Sequence, residues 1–179
     1  REFDEPAATI IQHTNPCGLG VGTNICDAYV KAYEGDTMAS YGGIVAVNRE
    51  VDVECALEMN KVFLEAIVAP GFTPEALAIL QEKPKLRLLT VDGLTSPQPT
   101  IAFYPIKGGV LLQETDSEPT KNEIMRVVTH REPTADEIEQ MRFAMTVAKH
   151  VKSNAVVLAK DFQVIGVGAG QMSRISSVD

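Results

Sequence analysis

Strand signals and helix signals alternate through the first half of this 179-residue chain, and that alternation limits the folds open to it. Apolar runs at 8–11, 44–47, 66–69 and 86–91 are too short for helices and read as strands. Between them stand helix starts. Asn24 is placed to cap a helix over 25–34, with Ala28, Tyr29 and Ala32 on one face. Gly35-Asp36 would stop it. Asp52 is placed to cap a helix running through 64, with Ala56, Met59, Asn60 and Phe63 at helical spacing. Thr73-Pro74 opens a third, to about 81, since Pro is favoured in the first turn. Such alternation predicts an α/β layered fold with a largely parallel sheet. The stretch 12–18, rich in turn formers, reads as a loop.

The pattern changes after residue 91. Residues 92–133 hold Pro97 and Pro99 and three short strand-like runs, 101–104, 108–113 and 124–129, and read as a β-rich excursion from a core of 8–91 and 134–179. Thr134 and Glu137 form a capping-box sequence that opens the longest helix, to about 151. Its apolar stripe reads as Ile138, Met141, Ala144, Met145, Ala148 and Val151. A buried strand at 155–159, a turn at Asp161-Phe162 and a returning strand at 164–167 make a closing hairpin. One mixed sheet with the 134–151 helix packed on it is the expected architecture.

Composition narrows function by exclusion. Hydrophobic residues are 45% of the chain, enough for a core. A net charge of −8 argues against a general nucleic-acid or anionic-membrane binder, although a local basic pocket for a small anion remains open. The three cysteines, Cys17, Cys26 and Cys55, are odd in number and lack CxxC spacing, so a disulfide framework is not expected and a cytoplasmic setting is. No apolar run approaches the ~20 residues that span a bilayer. The chain opens on Arg1, without Met and without a signal peptide, as a piece of a longer protein would.

Several polar residues carry candidate chemistry, each with a plainer reading beside it. His13, at a strand end, is placed as a general base or is simply a loop histidine. Asn154 is a turn residue or an amide aimed at a carbonyl or oxyanion. Gly166, Gly168 and Gly170 let backbone come close to something, a ligand or a neighbouring strand, but lack the spacing of a dinucleotide fingerprint. Arg174, shortly after them, favours a phosphate or carbonyl-rich ligand. Tyr41-Gly42-Gly43 offers a ring and close backbone approach, or only sheet packing. Glu65 is a site acid or a solvated one. Zinc-dependent deaminases need His-x-Glu and Pro-Cys-x-x-Cys, whereas Asn15 and Gly20 stand in the second places here, so no zinc site is expected.

Taken in order, His13-Thr14-Asn15-Pro16-Cys17-Gly18, Tyr41-Gly42-Gly43-Ile44-Val45-Ala46, Glu65-Ala66-Ile67-Val68-Ala69-Pro70-Gly71-Phe72, Lys152-Ser153-Asn154-Ala155 and the run from Gly166 to Arg174 resemble one family. It is the formyltransferase region of the bifunctional purine-biosynthesis proteins, AICAR transformylase/IMP cyclohydrolase. The resemblance covers nearly the whole chain and makes residues 1–179 part of that region. It implies a cytidine-deaminase-like α/β fold without zinc. It also implies formyl transfer from 10-formyltetrahydrofolate to the 5-amino group of AICAR.

By resemblance, His13 assists deprotonation of the amine, Asn154 sits at the formyl-transfer centre beside the folate, and Arg174 meets the AICAR carboxamide. Tyr41, Gly42 and Glu65 surround the substrate base. The residue before the histidine is usually lysine; here it is Gln12, which donates a hydrogen bond but is no cationic acid. The resemblance further implies a homodimer with shared sites and, in the full-length protein, a potassium site near Ser153. The cyclohydrolase domain would precede this chain, and the rest of the transformylase would follow it. The competing expectation is a folded but catalytically silent binding or dimerisation module.

Overall fold

The computed structural model describes residues 2–92, 100–117 and 125–178. Its first elements are the strands β1 (Ala7–Gln12) and β2 (Asn15–Val21), the helix α1 (Ile25–Gly35) and the strand β3 (Ile44–Val47). The helix α2 (Val53–Asn60), the strand β4 (Ala66–Ala69), the helix α3 (Pro74–Gln81) and the strand β5 (Arg87–Thr90) follow. All three helices start where capping chemistry places them. The side chains of Asn24, Asp52 and Thr73 accept hydrogen bonds from the backbone N–H groups of Asp27, Cys55 and Ala76. The second helix stops four residues before the expected end, and Phe63, beyond it, packs its ring at a tilt against Tyr41.

The stretch 12–18 is not a loop. Only His13 and Thr14 turn, both in the left-handed region (φ 47 and 68), and β2 runs back along β1 from the Gln12–Asn15 pair. A bulge shifts the register between Ile10 and Ile11, where Pro16 replaces an expected ladder donor. The hairpin formed by β8 (Val156–Lys160) and β9 (Gln163–Gly168) adds beyond β2, giving one seven-stranded sheet in the order β5-β4-β3-β1-β2-β9-β8. Only the β3/β4 and β4/β5 pairs are parallel. The expectation of a largely parallel sheet is thereby corrected: hairpin partners are antiparallel by geometry, and two hairpins enter this sheet. The strand expected to be buried at 155–159 is an edge strand, with Leu158 exposed.

Helices α1, α2 and α3 cover one face of the sheet over a core that includes Ile10, Tyr29, Val45, Met59, Ile67 and Leu80. The seat of α1 is unusually close. A Cβ at Gly18 would lie 2.0 Å from the Ala32 carbonyl oxygen, one at Gly20 2.5 Å from Lys31 Cβ, and one at Gly22 2.5 Å from Ala28 N. Helix backbone rests on bare strand backbone. The thiols belong to this packing: burial pushes those of Cys17 and Cys55 up, and that of Cys26 to about 11, so none is a thiolate at neutral pH.

On the other face lies α4 (Ala135–Lys149), opened by the capping box between Thr134 and Glu137. Its buried residues are Phe143, Thr146 and Val147, continued by Val151 just beyond the helix. Of the stripe read from sequence only Val151 is buried; Met141 and Met145 face outward. Rings decide the matter, because Phe143 packs between Phe3 and Phe162 at centroid distances of 5.7 and 5.9 Å. The excursion contains a separate hairpin of β6 (Ile101–Ile106) and β7 (Gly109–Glu114). Residues 125–128, expected in a third strand, are irregular, and the rest of that expectation, with Pro97 and Pro99, lies outside the described residues. The hairpin is apolar on both faces and exposes Ile101, Phe103, Tyr104, Ile106, Val110, Leu111 and Leu112. Between it and the sheet runs a cleft of about 850 Å³, lined by Thr9, Ile11, Ala46 and Tyr104 among others.

The close α1 seat makes a contrast between two glycines. Gly18→Ala must lift α1 or bend β2 and is expected to lower the unfolding free energy by about 1–3 kcal/mol in urea titration. Gly166→Ala would meet only Leu158 side-chain atoms, 3.6 Å away or farther, and should stay within about 0.5 kcal/mol of the parent. Equal effects would contradict the packing described.

Candidate functional site

Strand direction brings every candidate residue to one end of the sheet. Gln12 ends β1 and His13 forms the β1–β2 turn. Tyr41 and Gly42 lead into β3, Glu65 immediately precedes β4, Asn154 precedes β8, and Arg174 follows β9. Because β1 runs antiparallel to both β2 and β3, and β9 antiparallel to β2, these chain positions share an edge.

Along that edge the residues form two groups with His13 between them. In the first, Gln12 Nε2 donates to the Tyr41 carbonyl at 2.8 Å, Gly42 N donates to the Phe63 carbonyl at 2.8 Å, and Glu65 N donates to the Gly43 carbonyl at 3.1 Å. Gly42 takes φ +74, which suits glycine. The exposed Tyr41 ring rests on Phe63 at 5.3 Å. The Glu65 carboxylate is held by Arg87 at 2.6 Å.

In the second group, Asn154 and Arg174 line a shallow cavity of about 450 Å³ with Met172, Ser173 and Ile175. Asn154 donates to the Gln171 carbonyl from both its backbone N, at 3.1 Å, and its Nδ2, at 2.9 Å. The two groups do not meet. Glu65 and Asn154 flank strands five places apart in the sheet, about 24 Å at ~4.8 Å per strand.

The glycine run 166–170 has a structural explanation. A Cβ at Gly168 would lie 1.8 Å from the Ser177 carbonyl oxygen, so what comes close there is the chain's own 3-10 turn, Ile175–Ser177. Buried Ser177 donates from Oγ to the Asn154 carbonyl at 3.0 Å. Gly170 N donates to the Lys152 carbonyl at 2.7 Å. The carbonyls of Lys152, Asn154 and Gln171 thus already accept hydrogen bonds. Each of these carbonyls keeps a second lone pair, and no step is assigned to potassium. Among the described residues no three His, Cys, Asp or Glu side chains converge on a metal position. No described helix is long and apolar enough to cross a membrane.

Three participants escaped sequence reading. The signal that could have found strand β2 is the spacing of Gly18 and Gly20, continued by Gly22 just past it, a period of two. Asn15 and Ser177 carried no signal of their own, since each acts through one hydrogen bond to a residue distant in the chain.

Fold and edge together define an α/β protein that presents amide, imidazole, carboxylate and guanidinium groups along one end of a mixed sheet. The chain belongs to the AICARFT/IMPCHase bienzyme family, whose model matches residues 1–179. It is 49% identical over 177 residues to the bifunctional purine biosynthesis protein PurH of Bacillus cytotoxicus, covering 99% of this chain and 35% of that protein. The corresponding protein of Bacillus cereus is 48% identical with the same coverage. That of Anoxybacillus flavithermus is 49% identical over 176 residues, 98% of this chain and 34% of the relative. The chain therefore spans about a third of the length of these curated relatives.

The contact at Gly168 is directly testable. Gly168→Ala should expel the 175–177 turn, so the Ser177 and Val178 amides should exchange with deuterium at least about tenfold faster while β1 amides keep their protection. Unchanged exchange at both would contradict the packing.

Proposed function

We propose that this chain is part of an AICAR transformylase, serving formyl transfer from 10-formyltetrahydrofolate to AICAR in purine biosynthesis in the cytoplasm. The observation that carries this reading is the gathering of Gln12, His13, Tyr41, Gly42, Glu65, Asn154 and Arg174 at one sheet edge, within a member of the AICARFT/IMPCHase bienzyme family.

The chemistry asked of these residues is specific. The amine of AICAR is a weak nucleophile because its lone pair is delocalised into the ring and carboxamide. Attack on the formyl carbon needs a base at the nitrogen and donors at the oxygen. His13, exposed on its turn, takes the amine proton as the new C–N bond forms. The formyl–folate C–N bond then breaks and its electron pair goes to the folate nitrogen. Gln12 has no proton to give, so the imidazolium of His13 returns one to that nitrogen. Gln12 and Asn154 each commit one amide N–H to a backbone carbonyl, which fixes the amide and leaves the second N–H for the developing oxyanion. The Tyr41 face and the Gly42 backbone receive the planar base, and Arg174 donates to the carboxamide oxygen.

A separation of about 24 Å between Glu65 and Asn154 prevents both flanks of one chain from serving one imidazole ring. A homodimer resolves this, the Tyr41–Glu65 flank of one copy meeting His13 and the Asn154 flank of the other. The two-faced apolar β6–β7 hairpin supports association, since so much exposed apolar surface on one element marks contact with other chain. The competing reading is a folded module without activity of its own.

Two experiments separate the readings. In the family-length polypeptide carrying this segment, His13→Ala should lower kcat about 10²–10⁴-fold with AICAR affinity nearly unchanged. Gln12→Lys, which supplies a cationic acid, should speed transfer and change the pH–rate profile. Parental turnover in His13→Ala would replace the base with a plain turn histidine. This chain alone should run as a concentration-dependent dimer or larger species in sizing chromatography. A clean monomer at every concentration would count against the shared-site reading.

A further inference from the structure

The β1–β2 turn and the segment before β8 are far apart in sequence, 137 residues between Asn15 and Lys152, yet one side chain joins them. Asn15 is the first residue of β2 and pairs with Gln12 across the turn. Its Oδ1 accepts from Lys152 N at 3.1 Å. Its Nδ2 donates to the His13 carbonyl at 3.3 Å. The same amide therefore holds the backbone of the histidine and the backbone two residues before Asn154. Turn chemistry alone would explain an asparagine following two left-handed residues, but it does not call for an acceptor aimed at position 152.

The far side of this link is anchored in turn. The Lys152 carbonyl accepts from Gly170 N, the Asn154 carbonyl accepts from Ser177 Oγ, and both Asn154 nitrogens donate to Gln171. Asn154 is thus fixed to the β9 end of the sheet, and only Asn15 among these contacts ties that assembly to the His13 turn. We propose that Asn15 is a positioning residue that sets the separation of His13 from Asn154, and hence of the base from the oxyanion donor. The inference rests on the formyl-transfer reading given above. Its physical reason is that acyl transfer tolerates little error between the two groups; a misplacement near 1 Å can cost about 100-fold in rate.

The test compares Asn15→Ala with Asn15→Asp. Alanine removes both contacts; aspartate keeps the acceptor for Lys152 N and loses only the donor. In this chain, deuterium exchange of the Lys152 amide should speed at least about tenfold in Asn15→Ala and stay close to the parent in Asn15→Asp. In the family-length polypeptide, Asn15→Ala should lower kcat about 10–100-fold with KM for AICAR unchanged within about twofold, each variant read at the plateau of its own pH–rate profile. Asn15→Asp should recover most of that loss. A purely structural asparagine would lower the melting temperature without separating kcat from KM and without rescue. Unchanged Lys152 exchange in Asn15→Ala, or an active parent whose kcat is insensitive to it, would overturn this inference alone. Absence of formyl transfer in the unsubstituted protein would overturn the functional reading and the positioning role together.

Discussion

The seat of α1 on β2 is the contact on which the rest of this structure depends. Three alternate glycines leave the strand surface bare, and the helix settles onto it at distances no side chain would permit. That closeness binds the β1–β2 hairpin to the helical layer and sets the plane of the sheet. Tyr29 and Ala32 of α1 then meet Ile10 and the α2 layer in one continuous core. The centre of the candidate site belongs to this hairpin: its turn is His13-Thr14, its first strand ends in Gln12, and its second begins with Asn15.

The edge itself is made by chain direction. A two-residue turn demands left-handed backbone, here supplied by His13 and Thr14 rather than by glycine or asparagine. Bulky residues in that region store about 1–3 kcal/mol each, and such outliers cluster where geometry matters more than stability. The turn projects between two flanks of different character. One offers an exposed ring, an open glycine and a paired carboxylate. The other offers an amide and a guanidinium beside a small cavity. The outer members of the two flanks, Glu65 and Asn154, stand about 24 Å apart across the sheet.

Much of the fold was legible because its signals are local. The caps at Asn24, Asp52, Thr73 and Thr134 each satisfy N–H groups within three residues, so four short motifs announce four helices. The strands β3 and β4 are apolar runs with sharp ends and fall where they were read. Reading failed where the deciding partner was remote. The stretch 12–18 looks like a loop because its turn formers outnumber its strand formers, yet β1 recruits it from Asn15 on as β2, which β9 joins at Gly20. The apolar stripe of α4 was misplaced because Met141 and Met145 are as hydrophobic as the residues that are buried. Phe3 and Phe162 choose Phe143 instead.

By itself the sequence determined the helix starts, the absence of a disulfide framework from the expectation and, through an ordered set of short motifs, the family. These depend on hydrogen bonds and periodicities spanning a few residues. Only the tertiary structure decided which strands pair in which direction, that Gly168 admits Ser177 rather than a ligand, and that Asn15 reaches Lys152. Those outcomes are matters of distance between segments more than a hundred residues apart or of clearance between two backbones. A one-dimensional pattern does not record either, because neither the gap a glycine leaves nor the carbonyl that fills it has a fixed offset along the chain.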